Sequence, residues 1–408
     1  MRILYLSQYF PPEVGATQIR AYEMARGLVR AGHHVTMIAE FPNHPSGVIP
    51  PAYKGKLYQR ADLDGIEVLR VWVKASPVKT FRTRMAFYVS FMLNAALAGL
   101  FLARGRYDVV YASSPPLFVG ATGLVLSFLR RAPLVFEVRD LWPESAVVLG
   151  ELKNARAVRL ATWLEETCYR RARRVTVTSQ EILERLVQRG LPTHKLALVR
   201  NGANVDLFRR DAEARQRVRA DLGLQDRFVV LYAGLFGLAY ELDLVLEVAR
   251  DLEQDAPDIH LLLVGEGPTR EQVQAYAATL GLGHVTFLPA QPRERVPDYF
   301  NAADVSLVPI KEPNIFGMLP VKIYDSMACQ VPIIVGATGE ARHVVQESAS
   351  GLAVDPGDGA QLRQAILSLR ADPALRRRYG ENGRQAVVAR YSRQAQARQL
   401  EKLLRTIS

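Results

Sequence analysis

Short apolar runs alternating with helical stretches constrain this chain more than any other feature, and they occur in two successive series. The first series has Ile3 to Ser7, Val35 to Ala39, Asp108 to Ala112, Leu134 to Val138 and Val175 to Thr178. The second has Val229 to Ala233, His260 to Val264, Val285 to Leu288, Val305 to Val308 and Pro332 to Val335. Each run is long enough for a strand buried on both faces, and the segments between are long enough for crossover helices; a helix over Thr17 to Arg30, stopped at Gly32, is the first. Such alternation predicts parallel sheets covered on both sides. The expected fold class is therefore α/β, with two Rossmann-like domains whose sheets face a central cleft at the carboxyl ends of the strands, where open sheets of this kind take their ligands.

A chain of 408 residues, 49% of them hydrophobic, supports two cores. The polar stretch opening at Asn201-Gly202 reads as the linker. It sets the expected domains at residues 1–200 for an acceptor, 201–385 for a donor, and 386–408 for a terminal helix returning to the first domain. The formal charge of +11 calls for an anionic partner. The arginines from Arg170 to Arg174 and Arg376 to Arg378 lack the interleaved aromatics of a single-strand binder, so nucleic acid is not expected. They read either as solvated helix faces or as a basic surface turned to a membrane. Cys168 and Cys329 have no metal or disulfide spacing. With no cleavable leader pattern at the start, a cytoplasmic chain is expected.

The chemistry concentrates between Pro309 and Gly336. A strand leads into a loop with Asn314 and Gly317, then Met318 and Leu319, and a helix opens at Pro320. Free amides of a first helical turn, the positive helix end and a glycine admitting close backbone approach make a site for a diphosphate. Lys322 adds a full charge there, and Asp325, three residues on, can accept hydrogen bonds from ribose hydroxyls. Gly234 and the Gly265-Glu266-Gly267 turn end strands on the same side. In the first half, the loop with Gly15 and Arg20 follows the first strand, Ser113 and Ser114 end the third, and Glu137, Arg139, Asp140 and Glu144 follow the fourth. That cluster can orient an acceptor hydroxyl or serve only as helix caps and salt bridges. Asp62-Leu63-Asp64 before Gly65 reads as a turn and not as a metal motif, and His33-His34 as a helix terminus; no metal and no cofactor are expected.

Asn201-Gly202 with Phe208, Tyr232-Ala233-Gly234, Val264-Gly265-Glu266-Gly267-Pro268, Ala303-Asp304-Val305 and Tyr324-Asp325-Ser326-Met327-Ala328-Cys329 stand in that order along the chain. Together they resemble the family 4 glycosyltransferases, of the two-Rossmann-domain GT-B type, over essentially the whole sequence. The runs Ala112 to Leu117 and Glu137 to Ser145 are similar to the bacterial O-antigen and capsule subgroup that includes proposed N-acetylfucosamine transferases. The resemblance implies metal-independent, retaining transfer from a nucleotide-sugar, usually a UDP-sugar, to a polyprenyl diphosphate-linked glycan in surface polysaccharide biosynthesis. This chain departs from the family pattern at four places, one of them the donor-sugar histidine, which falls in the Ser113-Ser114 region. The first Glu of Glu-x7-Glu falls on Gly317, and the Arg and Lys that usually neutralise the diphosphate fall on Leu235 and Tyr240. Lys322 is left as the main cation, with Arg139 a contributor from across the cleft. A non-catalytic nucleotide-sugar scaffold and a UDP-sugar epimerase are the alternatives.

From Met85 to Ala103 the chain is nearly all apolar, flanked by Arg82, Arg84, Arg104 and Arg106. A bilayer span would pull apart the strands on either side, which leaves a buried helix or one lying in the membrane surface at the inner face of the cell membrane.

Overall fold

Two parallel sheets account for the strand runs, each in its own unit of the chain. The computed structural model describes residues 1–407 except 14, 45, 79, 149, 151 and 313–315, so Asn314 of the expected glycine loop lies outside the described residues. The first unit takes Met1–Asn201 and Arg393–Ser408; the second takes Gly202–Ser392.

In the first unit the strands are β1 (Arg2–Leu6), β2 (His34–Glu40), β3 (Tyr58–Leu63), β4 (Ile66–Val71), β5 (Val109–Ser114), β6 (Leu134–Val138), β7 (Arg174–Val177) and β8 (Leu196–Leu198). They lie in the order β3-β4-β2-β1-β5-β6-β7-β8. All neighbours are parallel except β3, which pairs antiparallel with β4 at the sheet edge. The turn between them puts Asp64 and Gly65 in the left-handed region, which is the geometry a tight hairpin needs. The helices are α1 (Ala16–Arg30), α2 (Phe81–Leu97), α3 (Phe118–Arg130), α4 (Glu144–Val148), α5 (Ala155–Arg171) and α6 (Gln180–Gln188).

The second unit holds α7 (Ala212–Leu222), β9 (Phe228–Ala233), α8 (Leu242–Asp255), β10 (Ile259–Val264), α9 (Arg270–Thr279), β11 (Val285–Leu288), α10 (Val296–Ala302) and β12 (Val305–Pro309). It continues with α11 (Val321–Ala328), β13 (Ile333–Gly336), α12 (Gly339–Glu347), β14 (Gly351–Val354), α13 (Gly359–Ala371) and α14 (Pro373–Arg390). Its sheet is parallel throughout, in the order β11-β10-β9-β12-β13-β14. Strand order reverses on either side of β9, and such switch points are where open α/β sheets bind ligands.

Alternation within β1 explains why both faces are covered. Ile3 and Tyr5 pack with α1, while Leu4 and Leu6 join Phe91, Leu126 and Phe136 on the opposite side. The last helix, α15 (Arg393–Arg405), belongs to the first unit, where Leu400 and Leu404 pack in the cluster of Met24 and Leu28. His33 and Glu401, 3.1 Å apart, add a polar tie.

Two boundaries differ from expectation. The stretch after Asn201 carries α7, whose Asp211 side chain caps it, and is part of the second unit instead of a linker. The return to the first unit comes at Arg393 and not at residue 386, because α14 continues unbroken to Arg390.

Candidate active site

In the second unit the chemistry gathers where β9, β10 and β12 end. Beyond β9, Gly234 has φ of 142°, and a Cβ there would lie 3.1 Å from both Cε and Nζ of Lys322. A Cβ on Gly265, beyond β10, would sit 1.8 Å from the Gly234 carbonyl oxygen, so the two strand-end loops can interlock only as glycines.

Helix α11 starts here because Pro320 sets its N-cap backbone, with φ of −64°, and no side chain caps its first amides. Ile323 and Met327 bury its inner face, and Ser326 Oγ donates to Ser306 Oγ of β12 at 2.9 Å, which fixes the helix on the sheet. The Lys322 side chain in the first turn is then carried inward. Only 8% of the residue is exposed, and Nζ lies 3.7 Å from the centroid of the Tyr232 ring and 4.0 Å from that of Tyr240. Among the described residues Nζ has no hydrogen-bond partner. Burial alone pushes this ammonium well below the ordinary lysine pKa. A buried lysine with no hydrogen-bond partner among the described residues, beside uncapped helix amides, is a candidate site for a negatively charged ligand.

The other expected donor-side residues fall around this point. Gly317 is buried with φ of 70°, Leu319 is buried, and Met318 and Asp325 are half-buried. Glu266 is engaged by Arg270 at 2.8 Å. Tyr232 and Tyr240 were not anticipated as site residues. Tyr240 occupies the position where the family pattern carries a lysine, and the structure sets its ring on the ammonium of Lys322.

The first unit corrects several expectations. Glu137 is fully buried and accepts from Arg20 Nη2 at 2.8 Å, Arg20 Nε at 3.1 Å, Tyr111 at 2.7 Å and, closely, the Ser113 hydroxyl. Burial would raise its carboxyl, but the Arg20 and Arg139 guanidiniums and the Ser113 hydroxyl outweigh that and hold it below the usual value. Arg20 also donates to the carbonyls of Val199 and Arg200, both at 2.8 Å, and to Asn201 Oδ1 at 3.2 Å. Arg139 donates to the carbonyls of Ser114 and Pro115, each at 3.0 Å. These groups therefore tie α1, β5, β6 and the end of the first unit together. Glu137 is not placed to orient an acceptor, Arg20 and Ser113 are not loop ligands, and Arg139 spends its Nε and Nη2 on carbonyls of its own unit. Ser114 is buried beside them. Glu144 is paired with Arg185 at 3.1 Å.

Two groups in this unit keep open chemistry at the carboxyl ends of strands. Asp140, after β6, accepts from Ser145 Oγ at 2.9 Å through Oδ2, while its buried Oδ1 has no partner among the described residues. Burial raises its carboxyl above the usual value. After β1 and β2, Glu40 accepts from Gln8 at 2.7 Å and Asn43 at 2.9 Å, and Glu13 accepts from the amides of Asn43 and His44. Gln8 Oε1 and Glu13 Oε2 stay unpartnered among the described residues. Burial and the neighbouring Glu13 drive the Glu40 carboxyl well above its ordinary value. Gln8 and Glu40 carry no local motif; only the convergence of two strand ends unites them. Gly15 precedes the first turn of α1, which has no side-chain cap. Among the described residues no three His, Cys, Asp or Glu side chains group as for a metal ion.

Residues 15–202 match the glycosyl transferase 4-like domain, and residues 214–386 match the glycosyl transferases group 1. A D-inositol 3-phosphate glycosyltransferase from Catenulispora acidiphila is 30% identical over 296 residues, covering 69% of this chain and 68% of that protein. The chain belongs to the group 1 glycosyltransferases. A GDP-mannose-dependent alpha-(1-6)-phosphatidylinositol monomannoside mannosyltransferase from Mycolicibacterium smegmatis is 29% identical over 235 residues, 56% of this chain. The match spans 61% of that relative's length. Among solved structures, Anabaena HepE in complex with UDP and glucose aligns over 100% of both chains with a TM-score of 0.74 and 21% identity. Sucrose-phosphate synthase from Thermosynechococcus elongatus aligns over 100% of this chain and 98% of that one, with a TM-score of 0.75 and 24% identity. In this glycosyltransferase, then, the cation beside α11 sits in a fold shared with a UDP-bound protein.

Proposed function

We propose that this glycosyltransferase moves a sugar, with retention of configuration, from a nucleotide diphosphate donor held by the second unit to an acceptor held by the first. The observation that carries this is Lys322, a buried amine with no hydrogen-bond partner among the described residues, beside the open end of α11. Breaking the bond between the sugar C1 and the phosphate oxygen leaves charge on the departing diphosphate. The α11 amides and Lys322 stabilise that charge in a dry site where electrostatic help is largest. The acceptor oxygen forms the new bond to C1, and its proton passes to the leaving phosphate. Asp140, with one carboxyl oxygen open and a raised pKa, orients the acceptor hydroxyl. Asp325 takes the ribose hydroxyls.

We take the donor as UDP-linked, supported by the UDP complexes of HepE, and the acceptor as lipid-linked, for which the phosphatidylinositol monomannoside named for the mycobacterial relative is the precedent. The finer assignment, an N-acetylated sugar added to a polyprenyl diphosphate-linked glycan in O-antigen or capsule assembly at the inner membrane face, rests on the runs Ala112 to Leu117 and Glu137 to Ser145. GDP-mannose use by the same relative is the specific rival for the donor.

A thermal-shift panel of UDP, GDP and their sugars tests donor choice, because a ligand that binds only the folded state raises Tm with its affinity. UDP-sugars are expected to give the largest shift. Transfer then follows on incubation with undecaprenyl diphosphate-linked N-acetylglucosamine. Donor binding with no sugar transferred or released would support the scaffold instead, and interconversion of free UDP-sugars the epimerase. No shift with any nucleotide would remove the donor-site assignment.

A further inference from the structure

We propose that the outer face of α2 and α3 in the first unit is a docking surface for an anionic lipid bilayer, a surface distinct from the sugar-transfer site. The apolar stretch read from the sequence is neither a span nor a buried helix. α2 continues through a π-helical turn, Ala98–Leu102, and of these residues Phe91, Ala95, Ala98 and Gly99 are the buried ones. Only 22% of the apolar window within Phe81–Leu102 is covered, while Phe91 and Ala95 belong to the core of the unit. Drawing this helix through a bilayer would strip that core, whereas laying it on the surface costs nothing in the fold.

α3 lies beside α2 along its length. The rings of Tyr88 and Phe118 are stacked at 6.0 Å, Thr122 Oγ1 donates to the Met92 carbonyl at 3.2 Å, and a Cβ on Gly99 would reach Leu126 Cδ1 at 2.4 Å. Arg130 closes the far end by donating to the carbonyls of Gly99, Leu100, Ala103 and Gly105. The pair forms one rigid platform. Leu93, Leu97 and Phe101 point outward at i, i+4 and i+8, and Val125, Phe128 and Leu129 at i, i+3 and i+4, with Phe101 72% and Phe128 82% exposed. Six large apolar side chains on adjoining helices are far more than the scattered exposure of an ordinary surface.

Charge selects the occupant. Between Glu67 and Glu137 the sequence carries nine lysines and arginines against a single acid, Asp108. Arg104, Arg106 and Arg131 are exposed just past the ends of the two helices. A second copy of this face would bring like charges together. An anionic bilayer instead offers phosphates to the arginines and acyl chains to Phe101 and Phe128, the arrangement of a helix lying in the interface.

The test is co-sedimentation of the full chain with vesicles of phosphatidylcholine, with and without phosphatidylglycerol, at two salt concentrations. Binding is expected to the phosphatidylglycerol vesicles and to weaken as salt rises. Arg104→Gln with Arg106→Gln should lower affinity about five-fold for each charge removed. Phe101→Glu with Phe128→Glu, both exposed and so without effect on Tm, should leave the protein in the supernatant. The proposal is overturned if the wild-type chain does not sediment, if it binds neutral vesicles as well as anionic ones, or if the glutamate variant binds like wild type. It is equally overturned if the wild type is a dimer that this variant dissolves and no vesicle binding accompanies it.

Discussion

Replacing Lys322 by methionine should make the free protein no less stable while weakening its hold on the donor, a pairing that a lysine kept for packing would not produce. The stem is of similar length, so the volume between Tyr232 and Tyr240 stays filled. What disappears is a cation whose burial is uncompensated by any anion among the described residues. Its pKa lies well below the usual 10.5 because burial strips water from the ammonium. Between the lowered folded pKa and 10.5 the unfolded chain binds more protons than the native one, so wild-type stability rises with pH across that window. Lys322→Met removes the slope. On the ligand side, the lost charge-assisted hydrogen bonds are worth about 1.5–3 kcal/mol, and UDP affinity should fall on the order of 10- to 150-fold. Binding of the diphosphate to wild type should also draw a proton onto Lys322. Calorimetric titration of UDP in buffers of different ionisation enthalpy reads that uptake, and thermal melts across pH read the stability slope. A variant that melts several degrees lower yet binds UDP as wild type does would refute the reasoning.

Glu137→Gln leaves Arg20 and Arg139 without their buried counter-charge and should cost about 3–5 kcal/mol of stability by urea denaturation at neutral pH. Because the Glu137 carboxyl is depressed in the fold, its contribution is full above the ordinary value of 4.5 and fades as pH falls through the folded pKa, so the acid limb of the wild-type curve should flatten in the variant. Gly234→Ala places a methyl 3.1 Å from Lys322 Nζ at a φ of 142°, and should cost about 1–3 kcal/mol in backbone strain and raise the Kd for UDP as the ammonium is displaced.

The sheets were legible because buried parallel strands leave uninterrupted apolar runs, and Val229 to Ala233 or Leu134 to Val138 could hardly be anything else. Half-exposed edge strands were not: β3 reads Tyr-Gln-Arg-Ala-Asp-Leu, and β8 is three residues long. Pro320, Lys322 and the glycines at 234 and 265 could be read as a site because proline and glycine carry their backbone consequences in their identity. The fate of the charged residues could not. Arg20, Ser113, Glu137 and Arg139 look alike in sequence whether they meet a substrate or one another, and only the register of β5 and β6, which pairs Ser113 with Glu137, decides that they meet one another. The amphipathic character of α2 was hidden for the same reason: a run apolar all round shows no stripe until the packing of α3 covers one side.

The same packing bears on how the proposed donor site could dispense with the cations the family pattern places after the first strand of the second unit. A lysine at position 240 would project beside Lys322, and two ammonium groups without an anion in that dry pocket would repel each other. Tyrosine at 240 instead contributes the negative face of its ring at 4.0 Å from Nζ, and Tyr232 does the same at 3.7 Å. The free protein thereby holds one basic amine against two ring faces, a hold weaker than an ion pair and one that the proposed diphosphate would outcompete while favouring the protonated form. Under the proposed function, the missing second cation and the two rings packed on Lys322 are one coherent feature, and the donor's diphosphate would supply the negative charge the pocket lacks.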